Sequence, residues 1–551
     1  MKENQGSKAP SRWFWLAGWA VLCLLAIVVV YYWRVFYYLD GRMNAWLLTG
    51  GAVAFVSGVW LAVRALFGKG GWSDGKSAVC IFLCGAVFCF ANPPLQAPDE
   101  TQHYLRSYSV SMGWLNFDYN RTYPEDVAKL VESFPGAWVN SHTSQGMTED
   151  EDGNPKAYTS AGYALKQQEE YGPVEGIQDG FAHYFSPEQA EITVQEPYFF
   201  MVISMLPQAL GMALARMVGF GALGCLYAGR LVNLAAYSVL CWLALKNCAR
   251  YKPAFLAMML MPISLYMAAS VSYDGTLLGF SYLVASYYCK EEIRTKDLAL
   301  FLFAFVMMNL AKPYINLLWV MLPLVLPQKV WKTRWKKWQL AVAAVGLALV
   351  AGWLLSWYAG AFRMNYPPAD SMRQENAGPM AQLLFVVKNP LRFVAVLLGT
   401  LYENDFFIGQ MGVFGALDLP IGFINMVSPW MLLLAAALSV HEKSSLRTAP
   451  AIGLWVLSLG YIAAAMGGLY LTWTPVGMVR VIGLQARYFL PAFLMLTVLL
   501  TALLSHLLEP KLDKWRTKPL HSMLVLSGAF AVVSGVLLFQ HYWIGPVFLI
   551  P

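Results

Sequence analysis

Apolar stretches of about twenty residues recur along the chain, separated by short runs of lysine and arginine. A helix needs roughly 20 apolar residues to cross the hydrocarbon of a bilayer, where the backbone must satisfy its own polar groups. A chain of 551 residues that is 58% hydrophobic and only 13% charged is therefore read as a polytopic membrane protein, not as several soluble domains. Its basic surplus, 39 Lys and Arg against 32 Asp and Glu, lies in those short runs, so no nucleic-acid partner is expected. All eight cysteines fall in or beside apolar stretches, which leaves the long polar loop without a disulfide or zinc framework.

Thirteen candidate spans follow from hydropathy: 12–33, 44–67, 77–92, 225–246, 253–271, 274–290, 297–311, 313–327, 338–360, 426–440, 449–471, 487–508 and 521–543. Two further apolar segments, 197–218 and 385–402, are interrupted by Pro207 and Pro390 and are read as re-entrant or surface-lying helices. With both left out of the count, every cytoplasmic loop is basic. Counting 197–218 alone would instead export the run from Lys329 to Lys337. The expected fold is an all-α helical bundle of about 13 transmembrane helices, with the N-terminus cytoplasmic. Residues 93–196, with 17 acidic and 5 basic side chains, are expected outside.

The chain then divides into an N-terminal helix pair (1–76), a helix leading into the first large external loop (77–92), that loop with its juxtamembrane helices (93–224), a central transmembrane module (225–425) and C-terminal helices (426–551). The aromatic and proline content of the large loop suggests a folded cap of short helices. No fixed internal repeat is found, so inverted-repeat transporter architecture has no support.

Chemistry concentrates directly after the third span, in Asn92-Pro93-Pro94-Leu95-Gln96-Ala97-Pro98-Asp99-Glu100-Thr101-Gln102-His103-Tyr104. The prolines end the membrane helix, and Asp99 stands where a new helix would be capped. Asp99, His103 and Arg106 follow i, i+4, i+7 spacing and share a face. Adjacent carboxylates at a membrane rim with a histidine one turn later form a general-base arrangement. The structural alternative is a capping Asp99, a solvated Glu100 and an i, i+4 ion pair.

The phrase P-P-x-Q-x-P-D-E-x-x-H-Y resembles the signature of a bacterial family of polytopic membrane proteins of unassigned function, grouped with the GT-C glycosyltransferase superfamily. Three later stretches resemble the same family: Pro262 through Ser270 to Asp274-Gly275; Gly412-x-Phe414-Gly415-x-Leu417-Asp418-x-Pro420; and Gly483-x-Gln485-Ala486-Arg487-Tyr488-Phe489-x-Pro491, where Ala486 replaces the usual glycine. The resemblance runs from about residue 77 to 508. It implies a GT-C-like bundle in a bacterial cytoplasmic membrane. Its first external loop would bear an acidic catalytic residue, and it would take sugar from a polyprenyl-phosphate carrier.

On that reading Asp99 or Glu100 removes a proton from the acceptor hydroxyl, while His103, Arg106, Asp274 and Asp405 support the site or bind acceptor. Arg487, Lys312, Tyr314 and Gln485 would hold the donor phosphate, since a guanidinium binds phosphate in a bidentate fashion and stabilises charge on the leaving group. Each has a structural alternative: an interfacial arginine, an N-capping Asp274, a helix-to-helix turn at Lys312-Pro313-Tyr314, and a cap at Glu403-Asn404-Asp405. Arg230 is expected to pair with a loop carboxylate. No cofactor is required by the sequence, and a divalent metal is left open. The expected partners are a polyprenyl-phosphate-linked sugar, a cell-envelope glycan, teichoic acid or glycolipid acceptor, and membrane lipids. The alternatives are a polymerase or ligase of lipid-linked glycans and a lipid-linked-sugar flippase or transporter.

Overall fold

The computed structural model describes residues 12–36, 45–67, 73–115, 122–133, 145–149, 155–159, 189–191, 201–326, scattered positions between 332 and 352, and residues 378–415, 419–440, 448–507 and 519–540. The described chain is mostly helical. The segment 338–360, Leu417, Asp418 and much of the large loop lie largely or wholly outside the described residues.

Helices α1 (Arg12–Phe36) and α2 (Ala45–Phe67) pair through Trp15 and Trp60, whose ring centroids are 5.1 Å apart, and through a hydrogen bond from Trp19 Nε1 to Ser57 Oγ of 2.9 Å. Helix α2 packs on α3 (Asp74–Ala91), and Phe55 stacks at 4.2 Å on Phe539, near the end of the C-terminal membrane helix. The cysteines are free thiols in buried positions. Beyond Asn92 the backbone turns through the proline segment into α4 (Glu100–Ser111), and α5 (Glu125–Ser133) follows. The cap is not purely helical. Strand Thr122–Pro124 pairs with Gln189–Glu191, and Gln145–Glu149 pairs with Pro155–Thr159, setting Met147 opposite Ala157. Val413–Phe414 and Leu419–Pro420 form a third antiparallel pair, so the all-α expectation is corrected to a helical bundle with small β-ribbons.

The segment expected to be re-entrant at 197–218 contains α6 (Leu206–Met217), whose 12 residues span about 18 Å at 1.5 Å per residue. Leu206, Leu210, Leu214 and Met217 are exposed along one face, while Gly211 on the other lies against the backbone of Ala228 in α7 (Ala222–Asn247). Residues 253–271 form not one span but two short buried helices, α8 (Lys252–Met259) and α9 (Pro262–Ala268), because Pro262 cannot continue the first. Helix α10 (Tyr273–Ser286) is followed by α11 (Thr295–Ala311), and the expected span at 313–327 is a series of short turns. Helices α12 (Pro379–Lys388) and α13 (Pro390–Glu403) meet at 105° where Pro390 breaks them. Helices α14 (Gly422–Leu438), α15 (Ala449–Thr472), α16 (Leu490–Leu507) and α17 (Pro519–Phe539) complete the bundle. Against thirteen expected spans, five helices among the described residues are long and apolar enough to cross a membrane, or six if the bent pair is one span.

The helix directions separate two ends. The C-terminus of α3 and the N-terminal parts of α7 and α10 meet at one end, where Arg230 bonds Cys89 and Asn92 and Asn233 bonds Ser272. At the opposite end Lys252 Nζ lies 2.9 Å from Asp74 Oδ1, and Lys290 Nζ lies 3.0 Å from Asn247 Oδ1 and 2.9 Å from Asp297 Oδ1.

Candidate functional site

All four motif stretches converge at the first of these ends. Asp99 has a left-handed backbone, φ 59°, and its side chain makes no capping hydrogen bond. Its carboxylate, 59% exposed, instead places Oδ2 3.3 Å from Arg487 Nη2. Arg487 sits on a 3₁₀ turn, Ala486–Phe489, just ahead of Pro491 in α16. The left-handed residue of this stretch is Gly483, φ 80°, and not Ala486, so the alanine occupies ordinary backbone and the position of Arg487 does not depend on a glycine beside it.

Asp274 completes the set. Ser272 supplies the cap of α10 by accepting from Asp274 N at 3.1 Å, which spares the Asp274 side chain that duty. Asp274 Oδ2 is 3.3 Å from Arg487 Nη1 and Oδ1 is 3.5 Å from Lys312 Nζ, so one carboxylate bridges two cations. Lys312 caps the end of α11 at φ −141° and ψ 85°, outside the helical region that the following Pro313 disfavours. Its ammonium lies over the Tyr488 ring at 4.3 Å and the Tyr273 ring at 5.5 Å, and the Arg487 guanidinium is 5.3 Å from Tyr488. The four ionic groups balance in charge. Asp274, Lys312 and Arg487 border a cavity of about 370 Å³ whose other walls include Leu277, Leu278, Ile315 and Tyr461.

Glu100 is placed differently from the sequence expectation. It is fully buried, and its two oxygens accept four hydrogen bonds: from Ala97 N at 3.1 Å, Val271 N at 2.8 Å, and Arg230 Nε and Nη2 at 2.8 and 2.7 Å. Arg230 further donates to the carbonyls of Cys89, Asn92 and Pro93 at 3.0, 2.8 and 2.7 Å. A carboxylate so occupied cannot meet a substrate hydroxyl, and its assignment as base or acceptor ligand is corrected to a brace. The pairing of Arg230 with a loop carboxylate is present as expected.

The brace has further members that sequence reasoning missed. Asn233 Nδ2 donates to Ala268, Ser270 and Ser272 carbonyls at 3.2, 2.9 and 2.9 Å, and Gln208 Nε2 donates to Asn233 Oδ1 and Ser272 O at 2.9 and 2.8 Å. Gly275 allows this closeness, since a Cβ there would stand 2.7 Å from Ala268 Cα. Tyr266 joins the third stretch: its hydroxyl accepts from Gly415 N at 3.1 Å and donates to Asn92 Oδ1 at 3.1 Å. Polar side chains within apolar segments are the available signal for Arg230, Asn233 and Gln208. Tyr488 and Tyr273 are marked only by adjacency to Arg487 and Asp274.

His103 is buried, its ring edge-on to Tyr273 at 4.7 Å and its Nδ1 without a hydrogen-bond partner. Burial and then Arg106 lower its pKa to about 4 against the opposing pull of Asp99 and Asp274, so it is neutral near pH 7. Arg106 Nη2 donates to Gln102 Oε1 at 3.4 Å. Asp405 is exposed in a kinked turn with φ 51° and does not border the cavity, although Phe407 of the same turn packs on Phe489 at 4.8 Å. The Tyr314 side chain lies outside the described residues. Gln485 adjoins Arg487 away from Lys312, bordering a second cavity. Among the described residues no group of three or more His, Cys, Asp or Glu side chains forms a metal-binding set.

A family model described as a predicted membrane protein, DUF2142, matches residues 82–496. No curated protein and no solved structure matches the chain.

Proposed function

The chain belongs to the DUF2142 family of predicted membrane proteins, and on that premise we propose that it is an integral-membrane glycosyltransferase. It moves a sugar from a polyprenyl-phosphate carrier to a cell-envelope polysaccharide, teichoic acid or glycolipid. The observation that carries this reading is the pairing of an exposed carboxylate, Asp99, with a buried guanidinium, Arg487, that also borders a cavity with Lys312 and apolar walls. A lipid phosphate needs a cationic seat beside an apolar surface, and this cavity has both. Asp274 offsets the repulsion between the two cations and sets their spacing before a ligand arrives.

In the proposed reaction Asp99 takes the proton of an acceptor hydroxyl as the oxygen attacks the anomeric carbon. The bond from that carbon to the carrier phosphate breaks, and its electron pair leaves with the phosphate, stabilised by Arg487 and Lys312. Displacement by this route inverts the anomeric centre. The orientation is supported by charge: Lys252, Lys290 and their neighbours lie at the end away from the site, which the positive-inside rule puts in the cytoplasm. The site end then faces outward, where the expected acceptors are.

The test is incubation of purified protein with labelled polyprenyl-phosphate sugars and envelope acceptor fractions, with and without chelator, following release of the carrier. Release that requires both Asp99 and acceptor is expected. Lipid translocation in vesicles with no release under any condition would replace this reading with a flippase.

A further inference from the structure

Arg487 borders a second cavity, of about 320 Å³, whose lining includes Pro98, Tyr266, Met267, Gln410, Gly415 and Gln485. Resting on the reading of Asp99 as the base, we propose that this second cavity is the acceptor subsite and receives an uncharged, hydroxyl-bearing ring, the terminal sugar unit of the acceptor.

Charge comes first. Among the described residues Arg487 is the only ionic one in the lining, and each of its terminal nitrogens already faces a carboxylate, Asp99 on one and Asp274 on the other. An anion seated here meets one cation, already flanked by two carboxylates, whereas the first cavity has two, Arg487 and Lys312, which share the single carboxylate of Asp274. Hydrogen bonding makes the same distinction. Gln485 Oε1 and Arg487 Nε are both buried without a partner, and Arg487 as a whole is only 7% exposed. An orphaned amide oxygen needs a donor and an orphaned guanidinium N–H needs an acceptor. A sugar hydroxyl is both, while a phosphate dianion offers acceptors only.

The remaining lining fits the same class. Ile263, Met267 and Val413 present an apolar wall for the C–H face of a ring, and the Gln410 amide is held by Asn404 at 2.9 Å. Pro98 precedes Asp99 directly, so a ring in this cavity lies beside the base, with Arg487 between it and the phosphate seat. Gln485 thereby moves from the phosphate-binding role expected from sequence to the recognition of hydroxyls.

The experiment is saturation-transfer NMR on the full-length protein in lipid nanodiscs, with methyl glycosides and dodecyl phosphate as separate and competing probes. At least one glycoside is expected to bind, and dodecyl phosphate is expected not to displace it. Gln485→Leu should weaken the glycoside about tenfold or more and leave dodecyl phosphate within about twofold, because it strands hydroxyls without removing a cation. Lys312→Met should do the reverse. Gln485→Asn, which withdraws the amide by one methylene, should show the same one-sided loss, and loss of both ligands in both Gln485 variants would overturn the proposal. It is also overturned if no glycoside binds, if Gln485→Leu binds glycosides as wild type does, or if dodecyl phosphate displaces them. Displacement by a lipid-phosphate-linked sugar would give the cavity to the donor and overturn the acceptor assignment. No turnover is needed, so a failed transferase assay beside selective glycoside binding removes the reaction and leaves the subsite standing.

Discussion

Asp99 and Arg487 are 388 positions apart in the chain and meet with Oδ2 3.3 Å from Nη2. Asp99 reaches this point from a helix entry with no capping bond, so its carboxylate carries no local structural duty. Asp99→Asn should therefore fold normally and lower transfer by about 10²–10⁴-fold, the usual weight of a general base. Carrier release from the purified variant, beside an unchanged melting temperature, checks both halves.

Glu100→Gln should behave in the opposite way. It leaves Arg230 buried opposite a neutral amide and is expected to cost about 3–5 kcal/mol of stability. Thermal unfolding in detergent would show a large drop in Tm. Combining Glu100→Gln with Arg230→Met should recover part of the loss, since no charge then remains without its counterion. A variant of normal stability with no transfer would return Glu100 to the chemistry.

Arg487→Lys keeps the charge but loses the fork that reaches Asp99 and Asp274 at once. The expected result is a fall in kcat of about 10²-fold, comparable with removing one donor to a developing negative charge. Steady-state kinetics with varied lipid-phosphate-linked sugar would register it, and wild-type kcat in this variant would contradict the proposed role.

His103 gives the protein an acid-side stability slope. Its folded pKa of about 4 lies below the ordinary 6.5, so between those values the unfolded chain binds a proton that the folded chain does not. Stability should fall as pH drops from about 6.5 toward 4 and be unaffected by this group above that window. Thermal unfolding of wild type and His103→Phe across pH 4–8 should differ in slope only inside it.

The class of the chain is legible in its sequence because apolar runs of bilayer length, bounded by basic residues, are what a spanning helix requires. The ionic residues of the candidate site are legible too, since Asp99, Asp274, Lys312 and Arg487 stand at the edges of apolar segments. Their grouping is not, because it depends on which helix ends meet. Hydropathy does not distinguish the broken α8–α9 pair from a span, as both halves are buried and apolar. Nor does it separate Asp99 from Glu100, neighbours whose side chains leave the backbone in different directions, one toward Arg487 and the other into the Arg230 brace.

The Arg230 guanidinium makes five hydrogen bonds, three to carbonyls where α3 gives way to the proline segment and two to the first residue of α4. Through Glu100 the same residue reaches Val271, ahead of α10. A rocking-bundle carrier must part its helices during every cycle. Separating α7 from α3 and α4 would break all five bonds in a place where water is not at hand to replace them. Parting these elements is therefore costly: they form one anvil, and a hinge in this bundle belongs to helices outside it.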